Sequence, residues 1–147
     1  MSGLYGDRDG MRRVYGEAWR KAREGLPLEP LEATLAGIIE AHPEYHRVLE
    51  DPAALDRDYP PEAGESNPFL HLGLHLALAE QLAADRPPGI RDLYSELAAG
   101  AADRHHLEHR LLECLGEALW EAQRRGGAPD EGAYLECVRR LRGRGRG

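Results

Sequence analysis

The chain has 147 residues, 41% of them hydrophobic and 31% charged, with a formal net charge of −7. That is a globular composition, long enough to bury a core, and its acidity argues against a nucleic-acid-binding body. The N-terminal MSGLYGDRDGMRR has no apolar stretch of signal-peptide type, and the longest apolar run is far short of a membrane span.

The predicted elements are all helical: no alternating strand pattern appears, and β-branched residues are scarce. A first helix is predicted from about Asp9 to Glu24, with Met11, Val14, Tyr15, Ala18, Trp19 and Ala22 on one stripe and Gly25 and Pro27 as the stop. A second runs from about Glu29 to Glu50, with Pro43 kinking or restarting it and His42 at the junction. The Pro-rich stretch DPAALDRDYPPEAGES then reads as a long loop. A third helix opens at Asn67-Pro68, N-cap then Pro at N1, and ends before Pro87-Pro88; its sequence FLHLGLHLALAEQL is apolar nearly all round, as a central helix is. A shorter helix covers Ile90 to Ala99. A fourth long helix starts at the N-cap Asp103 and stops at Gly126-Gly127, and a last one spans Asp130 to about Leu141. RGRGRG, within residues 141–147, reads as a disordered basic tail. The expected fold is therefore a single all-α domain over 1–147, with a four-helix-bundle-like core, one additional short helix and a long Pro-rich loop.

Six of the seven histidines form three pairs four residues apart, His42/His46, His71/His75 and His105/His109. On an α-helix that spacing puts both imidazoles on one face, where two rings can grip one metal ion. His42 and His46 fall in the apolar stripe of Leu31, Leu35, Ile38, Ile39, Tyr45 and Leu49. His71 and His75 share an arc with Leu78 and Leu82, and His105 and His109 lie near Leu112, Gly116 and Leu119, whereas His106 falls on the polar face and Glu80 nearly opposite its own histidine pair. Glu108 projects between Leu115 and Leu119, and a buried carboxylate needs a partner or a metal. Glu113 sits beside His109 at the boundary. If the second and third helices run antiparallel, all three pairs meet at one end of a bundle.

The candidate metal ligands are therefore His42, His46, His71, His75, His105, His109, Glu108 and Glu113. This set exceeds what one tetrahedral ion needs and suits one or two transition-metal ions, iron first and zinc as the alternative, since imidazole suits zinc, iron, copper and nickel alike. A dinuclear non-haem iron site that binds or activates O2, or senses redox state, is the first expectation. HHLEH at 105–109 also matches H-x-x-E-H, which makes a zinc hydrolase with Glu108 as the catalytic general base the second. A non-enzymatic metal-handling protein or helical adaptor is the third. Cys114 and Cys137 show neither a CxxC nor a disulfide framework and read as small core residues, which fits a reducing cytoplasm. A small molecule or O2 is the expected partner; nucleic acid and membrane are not.

HPEYHRVLEDP, NPFLHLGLHLALAEQ, DRPPGI, HHLEH and ECLGEALWEAQR together resemble a small bacterial family of domains of unknown function (DUF1841-like), over about Tyr5 to Leu141. The resemblance implies a helical bacterial protein and supplies no activity. In architecture the site also resembles hemerythrin-like and other non-haem di-iron bundles. The ferritin-type E-x-x-H pairs are absent, and the first helix offers only Glu17 and Glu24.

Overall fold

A computed structural model describes residues 8–51, 53 and 67–144. Most of the predicted Pro-rich loop and the last three residues of the tail lie outside the described residues. The helices are α1 (Arg8–Arg23), α2 (Pro30–Glu40), α3 (His46–Leu49), α4 (Pro68–Ala84), α5 (Ile90–Gly100), α6 (Arg104–Arg125), α7 (Glu131–Arg139) and α8 (Leu141–Arg144), with a 3-10 turn at Pro43–Tyr45. No strand occurs among the described residues, so the fold is all-α. No helix among them is long and apolar enough to cross a membrane.

The chain divides into two compact units, residues 1–76 and 77–147. The boundary falls inside α4, whose sequence is continuously helical, so no Pro/Gly-rich linker marks it.

In the first unit, α1 ends at Gly25, whose φ of 70° is a left-handed conformation that glycine adopts without a Cβ clash. Pro30 opens α2, and the Glu32 carboxylate reaches back to the Glu29 N–H at 2.9 Å. Lys21 on α1 donates to Glu32 on α2 at 2.9 Å, and together these bonds hold the Glu32 carboxyl below its ordinary range, the Glu29 N–H contributing most. The core consists of Tyr15, Ala18, Leu35, Ile39, Leu49, Phe69, Leu72 and Leu76, with Met11, Val14, Trp19, Ile38, Tyr45 and Val48 against it. Burying each of its larger aliphatic side chains contributes roughly 1.5–3 kcal/mol. Tyr15 reaches Gly73, where a Cβ would stand 3.4 Å from its hydroxyl, so the small residue lets α1 lie close to α4.

In the second unit, α4 stops at Asp85, with φ at 53°, and Asp85 Oδ1 accepts from Gly89 N and Arg91 N. The Arg91 guanidinium donates to the Leu82 and Ala83 carbonyls at 2.9 and 2.6 Å, satisfying the acceptors that a helix end leaves open. Asp103 caps α6 through the N–H groups of His105 and His106, and Gly126, at φ 76°, terminates it. Asp130 caps α7 through Ala133 N. Tyr134 donates to Gln81 at 2.7 Å, and burial pushes its phenol up to about 12.

Two expectations change here. Cys114 and Cys137 are joined in a disulfide between α6 and α7, their Cα atoms 5.8 Å apart, rather than being two reduced core residues. The pairing depends on the register of two helices, which spacing along the chain does not reveal. The stretch from residue 141, read as a disordered tail, begins as the helical turn α8: Leu141 is buried and Arg142 bonds Glu96 at 2.6 Å.

Candidate metal centre

The site begins where α2 ends. Pro43 has no N–H and disfavours helical geometry in the residue before it. His42 accordingly leaves the helix at φ −125°, ψ 70°. Its own N–H still reaches the Ile39 carbonyl at 2.9 Å. Its imidazole turns back, and Nδ1 lies 2.7 Å from the Ile38 carbonyl oxygen. A carbonyl only accepts, so Nδ1 carries the hydrogen, and a neutral ring then presents Nε2 as a lone pair. A backbone carbonyl on one ring nitrogen is the support that commonly orients a metal-binding histidine.

The other two members come from α4. Asn67 caps it by accepting from Phe69 N and Leu70 N, which sets His71 and His75 near its N-terminal end on one face. Their rings lie 4.7 Å apart at 73°. His71 Nε2 is 3.3 Å from His42 Nε2, and His75 Nε2 is 3.2 Å from His71 Nε2. The ligand nitrogens of all three lie within 4.8 Å of one another. His42 and His75 are only 1% and 5% exposed, so bulk water does little to relax the arrangement.

Neutral rings cannot satisfy both contacts with two separate, linear hydrogen bonds. If His71 Nε2 donates to His42, it has no lone pair left for His75. If it accepts from His75, its lone pair and that of His42 face each other. A cation at the centre takes all three lone pairs at once. The spacing agrees, since a tetrahedron with metal–nitrogen bonds of about 2.05 Å has edges of roughly 3.3 Å. The trio is suited to hold one metal ion.

Aromatic rings wall it. Tyr45 stacks on His42 with centroids 5.6 Å apart at 8°, and meets His71 edge-on at 5.9 Å. On the sequence Tyr45 is simply one residue of an apolar stripe. The orienting Ile38 carbonyl was equally invisible there, because a backbone atom leaves no trace in residue type.

The structure deals differently with the other expected ligands. His46 does not join the trio: its Nε2 donates to the Ile39 carbonyl at 2.8 Å, and its ring packs 4.3 Å from Trp19, whose indole N–H donates to Glu50. The reason is the Pro43–Tyr45 turn. Four residues of α-helix leave two side chains about 40° apart, whereas four steps at 3-10 pitch leave them roughly 120° apart. His105, His109, Glu108 and Glu113 belong to α6 in the second unit. His105 is exposed, its ring 4.3 Å from that of His109, and Glu113 is exposed. Half-buried Glu108 accepts from the Tyr94 hydroxyl at 3.0 Å. Burial first, and then the Glu108 charge, push the Tyr94 phenol up to about 12.

Fold and site thus define an all-α protein carrying a largely buried set of imidazoles suited to a metal ion. The chain belongs to the family described as a domain of unknown function, DUF1841, whose family model matches residues 7–140. No curated protein matches the chain, and no solved structure does.

Proposed function

We propose that this protein binds one transition-metal ion through Nε2 of His42, His71 and His75. The observation that carries the reading is the convergence of three Nε2 atoms at 3.2 and 3.3 Å around a ring whose tautomer is set by a carbonyl. An all-imidazole set with tetrahedral edges favours a four-coordinate divalent ion such as zinc. A carboxylate-bridged iron pair has less support, because Glu108 is bonded to Tyr94 and Glu113 faces solvent. Zinc hydrolysis with Glu108 as general base is weakened by that same bond. A single non-haem iron that binds O2 or senses redox state is the second reading, and the neutral nitrogen donor set, which leaves room for a diatomic ligand, supports it.

Metal analysis of untagged protein tests the proposal. About one ion per chain is expected, lost on His42→Ala or His71→Ala and retained on His106→Ala, whose side chain is exposed. A colourless protein with zinc supports the first reading, and a near-UV or visible band on exposure to air supports iron. Metal content indifferent to His71→Ala overturns both.

A further inference from the structure

The Ile39 carbonyl links His46 to the metal centre, a link whose meaning rests on the metal reading above. Along an unbroken α2 this carbonyl would accept from the N–H of residue 43. Pro43 has none. Ile39 is fully buried, so bulk water does not stand in for the missing donor. Two other groups do: the His42 N–H at 2.9 Å and His46 Nε2 at 2.8 Å. One oxygen thus receives the main chain of a metal ligand and the side chain of its neighbour on the next helix. One peptide earlier, the Ile38 carbonyl receives His42 Nδ1 at 2.7 Å. Carbonyls only accept, so the two imidazoles are opposite tautomers, His42 protonated on Nδ1 and His46 on Nε2. His42 turns its Nε2 to the trio, and His46 commits the equivalent nitrogen to the backbone. His46 is itself held: its half-buried ring packs 4.3 Å from Trp19 on α1, the Trp19 indole donates to Glu50 at 3.0 Å, and Glu50 lies 3.8 Å from Arg23 Nε.

We infer that His46 is a positioning residue of the metal centre. Its Nε2–H supplies the bond that Pro43 withholds from Ile39, and so fixes the peptide to which His42 is tied through its own N–H. Metal–nitrogen bond lengths vary by only about 0.2 Å, so a ligand ring must be placed closely. An Ile39 carbonyl that turns away carries the His42 main chain with it, and takes Nε2 off the point where it meets His71. Losing a group that orients a metal ligand weakens binding by roughly 10–100-fold. His46 acts through the backbone rather than on the His42 ring, which puts it at the lower end of that range.

The experiment measures zinc dissociation constants on the full-length, untagged chain by competition with a chromophoric chelator, at a temperature where circular dichroism shows each metal-free variant folded. His46→Phe keeps a ring against Trp19 and removes the donor. It should bind zinc about tenfold more weakly than the parent, with the stoichiometry kept. His46→Leu serves the same purpose should the phenylalanine variant not fold. His46→Gln offers an N–H at similar reach and should recover most of the affinity. Cobalt(II) spectra of these variants should keep the parent's band positions, because the donors to the ion are unchanged. Pro43→Ala supplies the missing N–H and lets α2 run on through His42, so it should weaken zinc binding, and adding His46→Phe to it should cost little more. Zinc held as tightly by His46→Phe as by the parent overturns the inference and leaves the metal reading standing. So does a cobalt spectrum of His46→Phe that has lost a nitrogen donor, because His46 is then a ligand. His46→Gln as weak as His46→Phe overturns the role of the donated hydrogen bond, and full affinity in Pro43→Ala overturns the role of the helix break. A folded parent that takes up no zinc overturns the metal reading itself.

Discussion

Replacing His71 with leucine should reverse sign between the metal-free and the metal-loaded protein. His71 is the shared member of the trio, with Nε2 atoms at 3.3 and 3.2 Å on either side. With all three rings neutral and no N–H shared, one of those contacts sets lone pair against lone pair. Leucine removes that conflict, and it is also a better helix former than histidine. The metal-free variant should therefore melt at or above the temperature of the metal-free parent. The loaded state behaves oppositely. Structural zinc sites are worth roughly 10–16 kcal/mol over their four ligands, so a single donor carries about 3 kcal/mol, or about a hundredfold in affinity. At a free metal concentration of about 100 times the dissociation constant, the parent gains about 2.7 kcal/mol. For a chain of this length that is a rise in Tm of about 10 °C. At the same free metal the variant sits near its own dissociation constant and gains only a few tenths of a kcal/mol, about 1 °C. The assay is thermal melting by circular dichroism in metal-buffered solutions and in chelator, with His106→Leu as control. A His71→Leu variant that keeps the parent's full metal-induced rise refutes the assignment of ligands. A metal-free variant that melts well below its parent refutes the argument from crowded lone pairs.

Reducing the Cys114–Cys137 disulfide, which closes a loop over a sequence separation of 23, should lower stability by about 3 kcal/mol and Tm by roughly 10 °C. Two titratable thiols in the unfolded but unreduced protein would rule the bond out. The Tyr134 phenol is pushed by burial from 10 to about 12. A proton held more tightly in the folded state stabilises fully below pH 10, and that contribution disappears as the pH rises from 10 to about 12. Stability measured against pH should therefore decline over that window. Tyr134→Phe should flatten the decline, and an unchanged profile would show that another group is responsible.

Much of this protein is written locally in its sequence. Asn67, Asp103 and Asp130 cap helices where their side chains can reach the first free N–H groups, Gly25 and Gly126 end helices in left-handed conformations, and Pro43 breaks a helix beside His42. These follow from contacts within a few residues, as does the face shared by His71 and His75. Tertiary structure decided what depends on the rotation and register of separate elements. The 3-10 turn at Pro43–Tyr45 swung His46 onto Trp19 and out of the trio, and helix register brought Cys114 against Cys137. Folding also set the Tyr94 hydroxyl on Glu108. Above all, the approach of His42 Nε2 to His71 joins residues 29 apart in sequence. A periodicity places a side chain on a face of its own helix, but only packing between helices decides which faces, and which nitrogens, come together.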